Sequence, residues 1–176
     1  MIFRESTLKG AYVIELDRLE DQRGFFARSF CRNEFEKCGL NTKWVQCNIS
    51  YNKAKGTIRG LHYQMDPMAE IKLVRCTRGA VYDVIVDLRK ESETFGKWFE
   101  VELSEKNYKA IYVPAGMAHG FQTLADNTEL FYQMSEFYDF EKTGGIRWDD
   151  PTFGFKWPIK EKVISSRDLH FPRFLE

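Results

Sequence analysis

Six residues, Arg59-Gly-Leu-His-Tyr-Gln64, bring a guanidinium, an imidazole, a phenol and an amide into one short segment. A guanidinium matches phosphate oxygens two at a time, and an imidazole moves protons near neutral pH. The chain has only 3 histidines in 176 residues, so a histidine inside a strand-like run asks for a reason. Strict alternation over Thr57–Gln64 puts Arg59, Leu61 and Tyr63 on one face and Ile58, Gly60, His62 and Gln64 on the other. On spacing alone two readings of His62 stay open. It is a satisfied structural residue, the commoner case, or a proton-transfer group facing a cavity.

Other residues invite the same question. Lys72 lies beside Ile71, Leu73 and Val74. A lysine there sits either at a sheet edge with its stem snorkelling outward or against a polar cavity, and the edge is the better reading of the residues alone. Pro114, Gly116 and His119 form PxGxxH, a spacing that resembles half of a cupin metal signature. A catalytic metal needs about three N or O ligands, and His62 is followed by Tyr63 and Gln64 rather than by a second histidine. No metal is therefore expected. Tyr132, in an aromatic run, reads as core, and Asp168, after Ser-Ser-Arg, reads as a turn or cap residue.

The elements that would carry these groups are mostly strands. Runs beginning at Ala11, Arg23, Trp44, Thr57, Ile71, Ala80, Lys97, Lys109, His119 and Thr128 are apolar or alternate apolar with polar residues. Turn signals at Arg78-Gly79, Pro114-Ala-Gly116 and Asp126-Asn127 separate several of them. One helix is expected over Arg32–Leu40, with Asn33 as its N-cap and Gly39 as its stop. Ten short strands with one or two short helices predict an all-β sandwich or jelly-roll barrel, one domain over residues 1–176. In such a barrel, inward polar residues of successive strands meet in one cavity.

Composition limits the partners. Twenty-six basic residues balance 26 acidic ones, and no like-charge run stands out, so no nucleic-acid partner is expected. No apolar run approaches the roughly 20 residues of a membrane helix. The N-terminus has no apolar signal region, and Cys31, Cys38, Cys47 and Cys76 form no CxxC pair. A cytoplasmic protein with reduced, mostly structural thiols is expected.

Ordered along the chain, DQRGFF (residues 21–26), QCNIS (46–50), KGTIRGLHYQ (55–64), KLVRCTRGAVYDVIVDLR (72–89), TFGKW (94–98), AHGF (118–121), WDDP (148–151), WP (157–158) and SSRD (165–168) resemble the dTDP-4-dehydrorhamnose 3,5-epimerase family. The resemblance implies a jelly-roll cupin fold, a homodimer and catalysis without cofactor or metal. It implies epimerisation at C3 and C5 of a nucleotide-linked 4-keto-6-deoxy sugar, dTDP-4-dehydro-6-deoxy-D-glucose becoming dTDP-4-dehydro-L-rhamnose. His62 would be the general base, Asp168 its orienting carboxylate, Tyr132 the acid and Lys72 the stabiliser of the enolate oxygen. Arg59 and Arg23 would hold the diphosphate and Phe26 would stack on the nucleobase, with Gln46, Asn48, His119 and Tyr138 as further pocket contacts. Two positions depart from the family pattern: Arg28 replaces an acidic residue and Thr143 a glutamate, and both would border the ligand. They keep open a single-carbon epimerase or ketoisomerase acting on another nucleotide sugar. A noncatalytic sugar-nucleotide binding module is the remaining alternative.

Overall fold

Alternation in Val81-Tyr-Asp-Val-Ile-Val86 turns Val81, Asp83 and Ile85 to one side of a strand and Tyr82, Val84 and Val86 to the other. Val81 and Ile85 join one apolar cluster while Val84 and Val86 join a second. A strand with two buried faces belongs in the middle of a layered β structure.

In the computed structural model, which describes residues 1–174, the strands are β1 (Ile2–Glu5), β2 (Tyr12–Glu15), β3 (Arg18–Asp21), β4 (Gly24–Ala27), β5 (Gln46–Asn52), β6 (Thr57–Gln64) and β7 (Lys72–Arg78). They continue as β8 (Ala80–Asp87), β9 (Trp98–Ser104), β10 (Ala110–Val113), β11 (Met117–Thr123), β12 (Thr128–Met134), β13 (Thr143–Gly145) and β14 (Val163–Ile164). Two short helices, α1 (Arg32–Lys37) and α2 (Ser166–Leu169), complete the set with a 3-10 turn at Phe140–Lys142. One sheet runs β1-β2-β10-β7-β12-β5, the facing sheet runs β13-β6-β11-β8-β9 with β14 beside β6, and β3-β4 is a separate hairpin. All pairings are antiparallel except β14 with β6. This is the expected jelly-roll sandwich, and the strands running from Thr57 and Thr128 have the expected bounds.

The core lies between the sheets, where Val74, Ile111 and Leu130 of the first meet Val81, Ile85, Leu103 and Phe121 of the second. Outside the first sheet, Phe35 of α1 packs with Phe30, Leu40 and Trp44 over Ile14, Leu73 and Tyr112. Outside the second, Phe153, Phe155 and Trp157 cover Leu61, Val84 and Ala118. Covering the outer faces leaves the space between the sheets as the place for a ligand.

Three expectations need correction. Strands β1, β3, β13 and β14 carry too few apolar residues, or are too short, to show periodicity. Helix α1 starts from Cys31, not Asn33, and has no side-chain cap, whereas Gly39 does stop it at φ +70°. Lys72 is not at an edge, because β7 sits between β10 and β12.

Candidate active site

Strand β6 breaks its own alternation. On β11, His119 pairs with His62 and Phe121 with Arg59, so two steps on β11 face three on β6. One extra residue makes a β-bulge, which re-aims the side chains beyond it. Arg59 and His62 consequently line the same cavity, while Leu61 and Tyr63 pack outward. Strict alternation had put Arg59 with Leu61 and Tyr63, and the bulge is why that fails. Gly60 makes the bulge possible: its φ is +117°, and a Cβ there would come within 2.6 Å of Gly120 Cα and 2.7 Å of the His119 carbonyl oxygen.

The cavity measures about 420 Å³ and opens between the two sheets, within the usual range for small-ligand pockets. Arg59, His62, Lys72, His119 and Tyr132 all line it, on β6, β7, β11 and β12, with Val74, Phe121 and Leu130 as an apolar floor. With Ser50 and Tyr51 of β5, five strands from two sheets contribute one or two polar side chains each.

Carboxylates stand behind both histidines and the lysine of the cavity. His62 Nε2 lies 2.8 Å from Asp168 Oδ1. An ionised carboxylate only accepts, so Nε2 carries the proton and Nδ1 keeps the basic lone pair. Asp168 Oδ2 also accepts the Gly60 N–H at 3.1 Å, and Ser165 caps α2 by accepting the Asp168 N–H at 3.1 Å. Burial pushes the Asp168 carboxyl up, but hydrogen bonding to His62, the His62 charge and the Gly60 amide outweigh it and hold the group below the usual carboxylate range. Lys72 Nζ forms an ion pair with Glu70 Oε1 at 2.6 Å and donates to the His62 carbonyl at 3.4 Å. A second histidine–carboxylate pair, His119 Nε2 with Asp83 Oδ2 at 2.9 Å, lies directly across from His62 in register.

Burial is also the main force on Tyr132, raising its phenol pKa. The Arg59 charge pulls it back, and Tyr138 and Glu70 push it up further. The net result is a phenol that stays protonated at neutral pH and has a proton to give. The cavity therefore joins an imidazole backed by a carboxylate, a protonated phenol, an ammonium and a guanidinium, which suits proton transfer at carbon in an anionic substrate.

The other expected residues sit elsewhere. Gln46 and Asn48 share the inward face of β5 with Ser50 but are not in the cavity wall. Gln46 Oε1 accepts the Tyr138 N–H, and Asn48 Nδ2 contacts Met134 Sδ at 3.4 Å. Tyr138 is exposed, and its hydroxyl accepts from Arg167 at 3.3 Å. Arg23 pairs with Asp21 at the tip of the β3–β4 hairpin. Phe26, 69% exposed, pairs in register with Leu19, and Arg28 reaches Glu34 at 3.5 Å. Thr143, on β13, donates from its hydroxyl to the Asp139 carbonyl at 2.8 Å. Among the described residues, no cluster of three or more His, Cys, Asp or Glu is placed to hold a metal, and no helix is long and apolar enough to cross a membrane.

Three residues with a part in the geometry were missed from sequence. Asp83 was in plain view, since it shares an inward face with Val81 and Ile85. Glu70 lies two residues before Lys72, the spacing that shares a strand face, but it precedes the strand. Asn52, whose Oδ1 accepts from Arg59 Nε at 2.7 Å, gave no signal.

Comparison with known proteins agrees with this geometry. The sequence profile of the dTDP-4-dehydrorhamnose 3,5-epimerase family matches residues 5–176. The dTDP-4-dehydrorhamnose 3,5-epimerase of Shigella flexneri is 43% identical over 157 residues, covering 89% of this chain and 86% of that protein. The crystal structure of dTDP-4-dehydrorhamnose 3,5-epimerase from Elizabethkingia anophelis superposes with a TM-score of 0.96 at 40% identity, covering 99% of this chain and 97% of that one. ChmJ, a 3′-monoepimerase from Streptomyces bikiniensis solved with dTDP-quinovose, superposes at 0.89 with 32% identity, covering 96% and 85%.

Proposed function

The chain belongs to the dTDP-4-dehydrorhamnose 3,5-epimerase family, and from that premise we propose that it inverts C3 and C5 of dTDP-4-dehydro-6-deoxy-D-glucose to give dTDP-4-dehydro-L-rhamnose. The observation that carries this reading is one cavity lined by His62, Lys72 and Tyr132, with Asp168 2.8 Å behind the histidine.

The C4 ketone acidifies the protons on C3 and C5. His62 Nδ1 takes one of them, and Asp168 stabilises the imidazolium so formed. The electron pair moves onto the C4 oxygen, where the Lys72 ammonium meets the negative charge as it develops. Tyr132 then gives its hydroxyl proton to the opposite face of the same carbon, inverting it. Imidazolium and tyrosinate exchange protons with water, and the cycle runs again at the second carbon. Arg59, oriented by Asn52, holds the diphosphate, and His119 contributes a further polar contact. No cofactor is needed, because the substrate's own ketone supplies the electron sink.

Arg23, Phe26 and Arg28 lie outside this chain's cavity wall, so a role for them toward the substrate requires a second copy to supply them. A homodimer supplies that copy. It would also cover Leu19 and Phe26 on the hairpin, Ile49 and Tyr51 along edge strand β5 and Val45 just before it, all of which are exposed large apolar side chains. Light scattering of the purified protein checks the dimer.

The activity is tested by proton NMR in D₂O with dTDP-4-dehydro-6-deoxy-D-glucose. Exchange at both C3 and C5, with couplings of the L-lyxo product, is the expected result. The kinship to a 3′-monoepimerase supplies the second reading, for which exchange would stop at C3. No exchange by folded protein would refute both and point to another nucleotide sugar.

A further inference from the structure

Glu70 is a buried carboxylate to which the proposed chemistry gives no task. It lies in the loop before β7, and its side chain is 4% exposed against 11% for Lys72. One oxygen, Oε1, forms an ion pair with Lys72 Nζ at 2.6 Å, and the other, Oε2, accepts the Gln64 N–H at 3.0 Å. Gln64 ends the strand that carries His62, and Lys72 begins a strand of the opposite sheet. A single carboxylate therefore ties together the two strands that present the base and the ammonium.

Gln64 extends the tie. Its amide donates to the Met68 carbonyl at 2.8 Å and the Phe137 carbonyl at 3.1 Å, and accepts the Asp139 N–H at 2.7 Å. The clamp thus includes the segment that follows Tyr132. Lys72 Nζ is held between Glu70 Oε1, an ion pair at 2.6 Å, and the His62 carbonyl, to which it donates at 3.4 Å. Lys72 itself lines the cavity, so these contacts fix an ammonium at the cavity wall.

We propose that Glu70 is a positioning residue for the epimerisation, aiming the Lys72 ammonium at the substrate's C4 oxygen and fixing its distance from His62. The inference rests on the reading of Lys72 as the enolate stabiliser. Removing Glu70 would free the ammonium to swing within its pocket, and misplacement of about 1 Å at a reacting centre costs on the order of 10²-fold in rate.

A double-mutant cycle tests this. Glu70→Gln keeps the size of the side chain and one acceptor oxygen, so the fold is expected to hold. Solvent deuterium exchange at C3 and C5, kcat, KM and the thermal midpoint would be measured for the protein as it stands, Glu70→Gln, Lys72→Ala and the double variant. The expected result is a kcat about 10–100-fold lower for Glu70→Gln with KM little changed, and no further loss when Glu70→Gln is added to Lys72→Ala. An unchanged kcat, or the same loss in both backgrounds, would overturn the role of Glu70. Wild-type exchange in Lys72→Ala would instead overturn the reading of Lys72 itself, and the inference with it.

Discussion

Two histidine–carboxylate pairs face each other across one pair of strands, and they are built for different work. His62 is one-third exposed, and its partner Asp168 is 5% exposed. His119 is 10% exposed, and its partner Asp83 is 0% exposed. Asp168 has both oxygens bonded, one to His62 and one to the Gly60 amide, and stays below the usual carboxylate range. Asp83 has one oxygen with no hydrogen-bond partner. Its burial pushes its carboxyl up more than the charge and hydrogen bond of His119, and the charge of Lys72, draw it down. Residue type and spacing alone do not make a base. A base also needs an imidazole open to the cavity and a carboxylate whose anion is favoured; His62 is the more exposed imidazole, and the Asp168 carboxyl is lowered where that of Asp83 is raised.

The largest effect that sharpens this contrast is expected from Asp168→Asn. An amide can donate to Nε2 and so hold the proton on Nδ1, the wrong tautomer for a base. We expect kcat to fall about 10²–10⁴-fold with KM little changed, measured by steady-state epimerisation.

A smaller effect, on stability, comes from a third buried carboxylate with no histidine. Asp87 accepts from Arg89, Ser92 and Thr94, and though burial opposes them, these bonds bring its pKa down to about 2. A carboxyl lowered from an unfolded value near 4 contributes about 2 kcal/mol above that pH and loses it as pH falls toward 2. Asp87→Asn should therefore lower the thermal midpoint at pH 7 by about 4–8 °C, with the deficit shrinking in acid.

Asp83→Asn should be the smallest and opposite in sign. A carboxyl raised in the folded state favours folding only while it is protonated, below its unfolded pKa. That contribution disappears as pH rises through the folded value. Substitution by a neutral amide removes the cost of the buried charge, so the midpoint should rise by about 2–4 °C at pH 8 and by less at pH 4. Calorimetry of both variants across pH decides whether the two carboxylates differ as described.

Much of this was legible before any coordinates. The strand runs that carry Lys72, His119 and Tyr132 are legible, but from the residues alone Lys72 reads as an edge lysine and Tyr132 as core, and only the family resemblance puts the three in one pocket. Arg59 and His62 were not legible as neighbours, because a single extra residue at Gly60 reverses the phase of β6, and periodicity has no memory across a bulge. Asp168 came only from family resemblance: it lies 106 residues from His62 on a one-turn helix, too short to leave a pattern. Glu70 and Asn52 stayed hidden because their partners are defined by distance across a loop or strand, which composition does not encode. Arg23, Phe26 and Arg28 remain outside the single-chain cavity, so their contribution depends on assembly rather than on local fold.

The most direct test of the central claim compares His62→Ala with His119→Ala, following deuterium incorporation at C3 and C5 of dTDP-4-dehydro-6-deoxy-D-glucose by NMR. Loss of the general base should slow exchange by about 10²–10⁴-fold in His62→Ala, while His119→Ala should stay within about tenfold of the parent protein. Exchange preserved without His62 and abolished without His119 would contradict the account and move the base to the pair across the cavity.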